Sequence, residues 1–218
     1  MKFFLDTANL EQISEAQSLG ILDGVTTNPS LMAREGISGR QNILDHYIQI
    51  CNIVDGDVSA EVIATDFEGM IREGEELAAL HPQIVVKIPI IRDGIKAIKY
   101  LTDHQIRTNC TLIFSTGQAL LAAKAGATYV SPFIGRLDDI AADGVELVRQ
   151  IVQLFQYYGF DSQVISASIR SSMHIIQCVE AGTDVVTCPL NTILGLIDHP
   201  LTTIGIEKFL ADYHRLNK

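Results

Sequence analysis

Short runs of β-branched and apolar residues alternate with longer amphipathic segments from one end of the chain to the other. The runs fall at residues 2–6, 24–28, 58–62, 84–88, 107–111, 129–133, 163–168 and 185–188, each of strand length. Between them, apolar residues recur at spacings of three and four over 9–19, 42–53, 67–80, 94–102, 117–125, 144–158 and 173–181, which predicts helices packed by one face. A strict βα alternation with about eight strands is the pattern of an α/β protein folded as a single (β/α)8 TIM barrel. An open doubly wound sheet fits less well, because no strand runs into a GxGxxG turn. Gly20, Gly24, Gly56, Gly126, Gly159 and Gly182 each follow a helix and precede a strand, where helix stops are expected. A last amphipathic segment, 202–216, has no strand of its own to cover. It is expected to pack across the barrel end or onto a neighbouring subunit.

Composition agrees with one domain over 1–218. The chain has 218 residues, long enough for one large core and short for two. Its 16 Lys plus Arg against 26 Asp plus Glu give a net charge of -10, with no basic run, so neither nucleic acid nor an anionic membrane is an expected partner. Mean hydropathy is +0.23, yet the most apolar run, Ile84-Val85-Val86-Lys87-Ile88-Pro89-Ile90-Ile91, is far below the roughly 20 residues of a membrane span. The start of the chain, with Asp6 close behind three apolar residues, lacks a signal-peptide core, so a cytoplasmic location is expected. Cys51, Cys110, Cys178 and Cys188 form no CxxC pair, and no zinc-ligand spacing is present; no metal is expected.

Polar residues inside strands that should be apolar are the informative exceptions. Thr26 and Asn28 lie two apart and so share a strand face, as do Ser59 and Glu61, Asn109 and Thr111, Ser131 and Phe133, and Ser166 and Ser168. Asp6 and Lys87 stand late in their strands. All fall towards the C-terminal strand ends, where barrel enzymes build their sites. A Lys pointing into the barrel is desolvated, which favours the free amine, a nucleophile towards carbonyls through a Schiff base. Alone, Lys87 reads equally as a snorkelling or ion-paired side chain; Asp6 and Glu61 on the same face supply the proton carriers that such chemistry requires. Thr111 has a hydroxyl able to position a water, and Asn28 and Asn109 have amides suited to substrate hydroxyls. Arg136 and Arg170 lie just beyond late strands and, with Ser168, make a candidate phosphate clamp. The six histidines form no HxH or HxxxH pair and read as structural or exposed.

The motifs Phe4-Leu5-Asp6-Thr7-Ala8, Gly24-Val25-Thr26-Thr27-Asn28-Pro29-Ser30, Val86-Lys87-Ile88-Pro89 and Gly126-Ala127-Thr128-Tyr129-Val130-Ser131-Pro132-Phe133 with Arg136 resemble the short-chain transaldolases, close to the fructose 6-phosphate aldolases. The resemblance covers essentially the whole chain. It implies cofactor-free Schiff-base catalysis in the non-oxidative pentose phosphate pathway. Lys87 would be the nucleophile, Asp6 the acid/base for carbon–carbon cleavage, and Glu61 with Thr111 the proton carriers acting through a water. Asn28 and Asn109 would hold the dihydroxyacetone hydroxyls, with Thr26, Ser131 and Phe133 completing the substrate-binding walls. Arg136, Ser168 and Arg170 would take the sugar phosphate. The aldolase branch has Tyr, Gln and Lys where this chain has Phe133, Glu61 and Arg170, so the resemblance leans towards the transferase. Phe133 cannot donate the proton that would quench a three-carbon carbanion equivalent. The resemblance also implies a homo-oligomer, a pentamer or a pair of pentamers. Two rivals stand beside it: an aldolase releasing free dihydroxyacetone, and a non-catalytic sugar-phosphate-binding barrel.

Overall fold

The computed structural model describes residues 1–217. Eight parallel strands, β1 (Lys2–Asp6), β2 (Gly24–Thr26), β3 (Asp57–Glu61), β4 (Ile84–Pro89), β5 (Thr108–Ile113), β6 (Tyr129–Pro132), β7 (Gln163–Ser166) and β8 (Val185–Cys188), close into a barrel in sequence order. Around it run α1 (Leu10–Ser18), α2 (Pro29–Arg34), α3 (Arg40–Ile53), α4 (Phe67–Leu80), α5 (Arg92–Asp103), α6 (Thr116–Ala125), α7 (Ile134–Asp138), α8 (Gly144–Tyr158), α9 (Ser172–Glu180), α10 (Leu190–Leu194) and α11 (Pro200–Leu216). The expected strands and long helices are all present. The three short helices α2, α7 and α10 were not expected, because five or six residues are too few to display a 3.6-residue period. Two of the predicted strands end two residues early. β2 stops at Thr26, since Asn28 leaves the sheet to cap α2 with its side chain, and β7 stops at Ser166.

The strand period of two divides the side chains between two cores. Outward-facing Leu5, Val25, Val58, Val86, Ile88 and Cys110 pack under the helices. Inside, Phe4, Val85, Tyr129, Ile165 and Val185 plug the lower barrel. The Tyr129 hydroxyl donates to Asp57 Oδ2 at 2.8 Å, and Asp57 takes both oxygens to Arg107 Nη1 at 2.7 Å, which closes the N-terminal end with a partnered charge. Above the plug sits a polar layer of Thr26, Ser59, Asn109, Ser131 and Thr187, all buried. The barrel interior is therefore apolar at the level of the plug and polar above it.

Four of the expected glycine stops, Gly20, Gly126, Gly159 and Gly182, have positive φ as helix ends require. Gly24 and Gly56 do not; they are there for space. A Cβ on Gly56 would lie 2.0 Å from the Asp23 carbonyl oxygen, and one on Gly24 would lie 2.5 Å from the Phe4 ring. Helix α11 buries no residue on the barrel, so the expectation that it crosses the barrel end is not met within one chain; Leu201, Phe209, Leu210 and Tyr213 are exposed on it. No helix among the described residues is long and apolar enough to cross a membrane. Because the contact at Gly56 is with backbone, Gly56→Ala is expected to cost about 1–3 kcal/mol of stability, read as a lower urea midpoint at unchanged slope. An unchanged midpoint would contradict the close approach.

Candidate functional site

A cavity of about 480 Å³ opens at the C-terminal end of the strands. Lys87, at the end of the β4 run, reaches its floor with 5% of its surface exposed. Its Nζ donates to the Thr27 carbonyl at 3.0 Å and lies 3.0 Å from Glu61 Oε2. The register pairs Glu61 with Lys87, so neighbouring strands present ammonium and carboxylate side by side. An ion so desolvated needs partners of this kind, and the carboxylate can also take a proton from the nitrogen.

Asp6 ends β1 on the same face and lines the cavity. Thr26 Oγ1 donates to Asp6 Oδ1 at 2.8 Å and lies 2.6 Å from Thr187 Oγ1. Burial pushes the Asp6 carboxyl above its usual range; the Lys87 ammonium, the Thr26 hydrogen bond and Arg34 oppose that rise without cancelling it. The carboxyl is thus a better base than a solvated one.

The third wall depends on an irregularity of β5. The ladder with β6 shifts between Cys110 and Ile113, and Leu112 there has φ +62°. This bulge brings both Thr111 and Leu112 to the cavity, whereas a regular strand would show only one of two successive residues. Thr111 Oγ1 is buried and has no hydrogen-bond partner among the described residues, so its bonding capacity is directed to whatever occupies the cavity. Ser131 and Phe133 follow from β6 and its end. The Phe133 ring stands edge-on to Phe114 at 5.8 Å and has the Arg136 guanidinium 4.9 Å from its centroid, which holds that cation over the cavity. Ser168, with φ +60°, lines the same side. Gly135 allows this approach: its N–H donates to the Ser168 carbonyl at 3.1 Å, and a Cβ would stand 2.3 Å from that oxygen.

The structure gathers Asp6, Thr26, Asn28, Glu61, Lys87, Thr111, Ser131, Phe133, Arg136 and Ser168 around one cavity. Asn28 spends Oδ1 on the Leu31 N–H, leaving its amide nitrogen uncommitted among the described residues. Three expected residues are placed differently. Asn109 lies beneath the cavity, with Nδ2 donating to Ser59 Oγ at 3.1 Å and Oδ1 accepting from Ser131 Oγ at 2.7 Å. Arg170 stands at the rim in a two-pronged pair with Asp139, at 2.6 and 2.5 Å, and does not line the cavity. Ser166, expected to share a face with Ser168, instead turns to the helical layer and donates to Thr183 Oγ1. Sequence reading missed Arg34, which lines the cavity from the last turn of α2. Its signal was hidden because α2 itself was not foreseen.

Residues 3–218 match the family model described as Transaldolase/Fructose-6-phosphate aldolase. A probable transaldolase of Phocaeicola vulgatus is 73% identical over 217 residues, covering 100% of both chains. One of Porphyromonas gingivalis is 70% identical over 218 residues, covering 100% of this chain and 99% of its own. Among solved structures, a thiamine phosphate pyrophosphorylase from Pyrococcus furiosus superposes with TM-score 0.61 at 15% identity, over 86% of this chain and 85% of that one. A putative fructose-1,6-biphosphate aldolase from Coccidioides immitis gives 0.58 at 13%, over 85% and 72%. At such identities these two share the fold alone.

The raised Asp6 carboxyl has a measurable consequence. The folded chain holds that proton more tightly than the unfolded chain, so Asp6's contribution to stability is fully present below the ordinary carboxylate range and lost as pH rises through its higher folded value. Above that folded value the ionised group is a burden on the fold. Asp6→Asn is expected to melt at higher temperature than the unaltered protein wherever Asp6 is ionised, with the gap narrowing on acidification. Thermal unfolding between about pH 4 and 8 checks this, and a variant less stable throughout that range would overturn it.

Proposed function

The chain belongs to the transaldolase/fructose-6-phosphate aldolase family and is an enzyme of it, and we propose that it moves a dihydroxyacetone unit from sedoheptulose 7-phosphate to glyceraldehyde 3-phosphate. The products are erythrose 4-phosphate and fructose 6-phosphate, and the reaction is a step of the non-oxidative pentose phosphate pathway. The observation that carries the reading is Lys87 Nζ, buried at the floor of a sugar-sized cavity and 3.0 Å from Glu61.

The route needs only side chains on the cavity walls. Glu61 accepts a proton from Lys87, whose amine adds to the ketose carbonyl. Protons then pass between Glu61 and the carbinolamine oxygen by a water held on Thr111 Oγ1, water leaves, and the imine forms. Asp6 takes the proton of the hydroxyl on the far carbon of the bond to be broken, which becomes the aldehyde. The carbon–carbon electron pair moves into the imine, which is protonated on the Lys87 nitrogen, giving a neutral enamine, and the shortened aldose phosphate departs. A new aldose phosphate enters, the enamine carbon adds to its aldehyde, and Asp6 returns the proton to the new hydroxyl. Hydrolysis of the imine frees the product.

Asn28 and Ser131 meet the hydroxyls of the three-carbon unit, and Asn109 acts through Ser131, whose hydroxyl it orients. Arg136, Ser168 and Arg34 receive the phosphate. Arg170 joins them by exchanging Asp139 for the phosphate, a dianion that a guanidinium fork binds better than a single carboxylate. Phe133 and its Phe114 neighbour make an apolar wall beside the enamine, with no hydroxyl to protonate it, which favours transfer over release of free dihydroxyacetone. The enzyme works as a homo-oligomer in the cytoplasm, a state supported by the uncovered apolar residues of α11.

Borohydride with fructose 6-phosphate is expected to fix a three-carbon adduct on Lys87, located by mass spectrometry of peptides. Lys87→Ala should lose the adduct and at least ~10³-fold in kcat. Labelling of a different residue refutes the mechanism, and sustained dihydroxyacetone release without an acceptor aldose favours the aldolase. For the phosphate end, Arg34→Ala and Arg136→Ala are each expected to raise KM for glyceraldehyde 3-phosphate about tenfold, the worth of one charge-assisted contact, and to leave KM for glyceraldehyde nearly unchanged. Equal effects on both acceptors would remove that residue from the phosphate site.

A further inference from the structure

The ladder between β2 and β3 is interrupted where the reactive lysine needs an acceptor. Thr26 pairs with Ser59, and the Thr27 N–H donates to the Ser59 carbonyl at 3.2 Å, as a parallel ladder requires. The next rung of such a ladder would run from the Glu61 N–H to the Thr27 carbonyl. Here that carbonyl accepts from Lys87 Nζ at 3.0 Å instead, and the Glu61 N–H donates to the hydroxyl of Tyr47 at 3.3 Å. Tyr47 belongs to α3, outside the barrel, and is 2% exposed.

The same hydroxyl reaches the other side of the opened rung. Tyr47 OH and Thr27 Oγ1 are 3.2 Å apart, and Thr27 Oγ1 is also 3.2 Å from the Ser59 carbonyl. Each hydroxyl has one proton. Every proton finds an acceptor among these groups when Tyr47 donates to Thr27 Oγ1, Thr27 donates to the Ser59 carbonyl, and Tyr47 accepts from the Glu61 N–H. One buried hydroxyl then ties together the two residues whose oxygens hold Lys87, namely Thr27 through its carbonyl and Glu61 through its carboxylate.

Resting on the Schiff-base reading above, we infer that Tyr47 is a positioning residue: its hydroxyl replaces one rung of the sheet, which releases the Thr27 carbonyl to Lys87 and fixes the backbone that aims Glu61 at the nitrogen. Without that hydroxyl, the part-buried Glu61 N–H is left without its partner, a costly state that is relieved by closing the rung onto the Thr27 carbonyl. Lys87 then loses an acceptor and Glu61 its aim, while the cavity walls that bind sugar stay in place.

The test compares Tyr47→Phe, which keeps the buried ring, with the unaltered protein. Expected is a fall of about tenfold in kcat and in the borohydride trapping rate per folded molecule, with KM for fructose 6-phosphate changed less than about twofold. Thr27→Val, which keeps the carbonyl and the side-chain shape, should lower the trapping rate in the same direction and serves if the first variant does not fold. A normal trapping rate in either folded variant overturns the inference, as does a fall confined to melting temperature or to the amount of folded protein. Failure to trap the unaltered protein on Lys87 overturns the Schiff-base reading and this inference with it; trapping of the unaltered protein with no slowing in the variants overturns the inference alone.

Discussion

The upper half of this barrel is arranged around one constraint, the burial of an ammonium group among strands otherwise built from Val and Ile. An unpaired ammonium there would cost several kcal/mol. Lys87 is held by a carboxylate from β3 and a carbonyl from the end of β2, and each of those acceptors needs its own support. The early end of β2, the placing of Asn28 as a helix cap and the insertion of Tyr47 from α3 all follow at that corner. The sheet gives up a regular ladder bond there and gains a lysine fixed in position.

A gradient along the barrel axis follows from the strand period. Residues two apart share the interior, so Phe4 and Asp6, Val85 and Lys87, and Tyr129 and Ser131 each place an apolar side chain low and a polar one high. The lower plug excludes water and the middle hydroxyl layer offers hydrogen bonds. The cavity above gathers Lys87, Arg34 and Arg136 against Asp6 and Glu61. A chain of net charge -10 thus sets three cationic side chains against two carboxylates around this cavity, against its overall sign.

Much of the site was legible because strand alternation is a local rule. Asp6, Thr26, Glu61, Lys87, Ser131 and Phe133 could be put on one face by counting, and all six line the one cavity. Counting fails where the backbone stops being a regular strand. The bulge at Leu112 brings two successive residues to the cavity, Ser166 faces outward where Ser168 faces in, and Asn28 has already left the sheet. Arg170 was placed by loop position, yet its long side chain found Asp139, a residue 31 positions away. Arg34 lay on a helix too short for periodicity to announce its cavity-facing side, and Tyr47 on the buried face of α3, where an aromatic residue reads as core packing.

The sequence by itself determined the eightfold alternation, the two-sided burial of the strands and the polar positions that interrupt them, because these depend on periods of two and 3.6 residues within short segments. Tertiary structure decided which of those polar groups meet. The closure of β1 against β8, the pairing of Glu61 with Lys87, the sinking of Asn109 beneath Ser131 and the reach of Tyr47 to an opened rung are contacts between segments far apart in the chain. Their geometry is set by register and packing across the whole barrel, and no local pattern contains it.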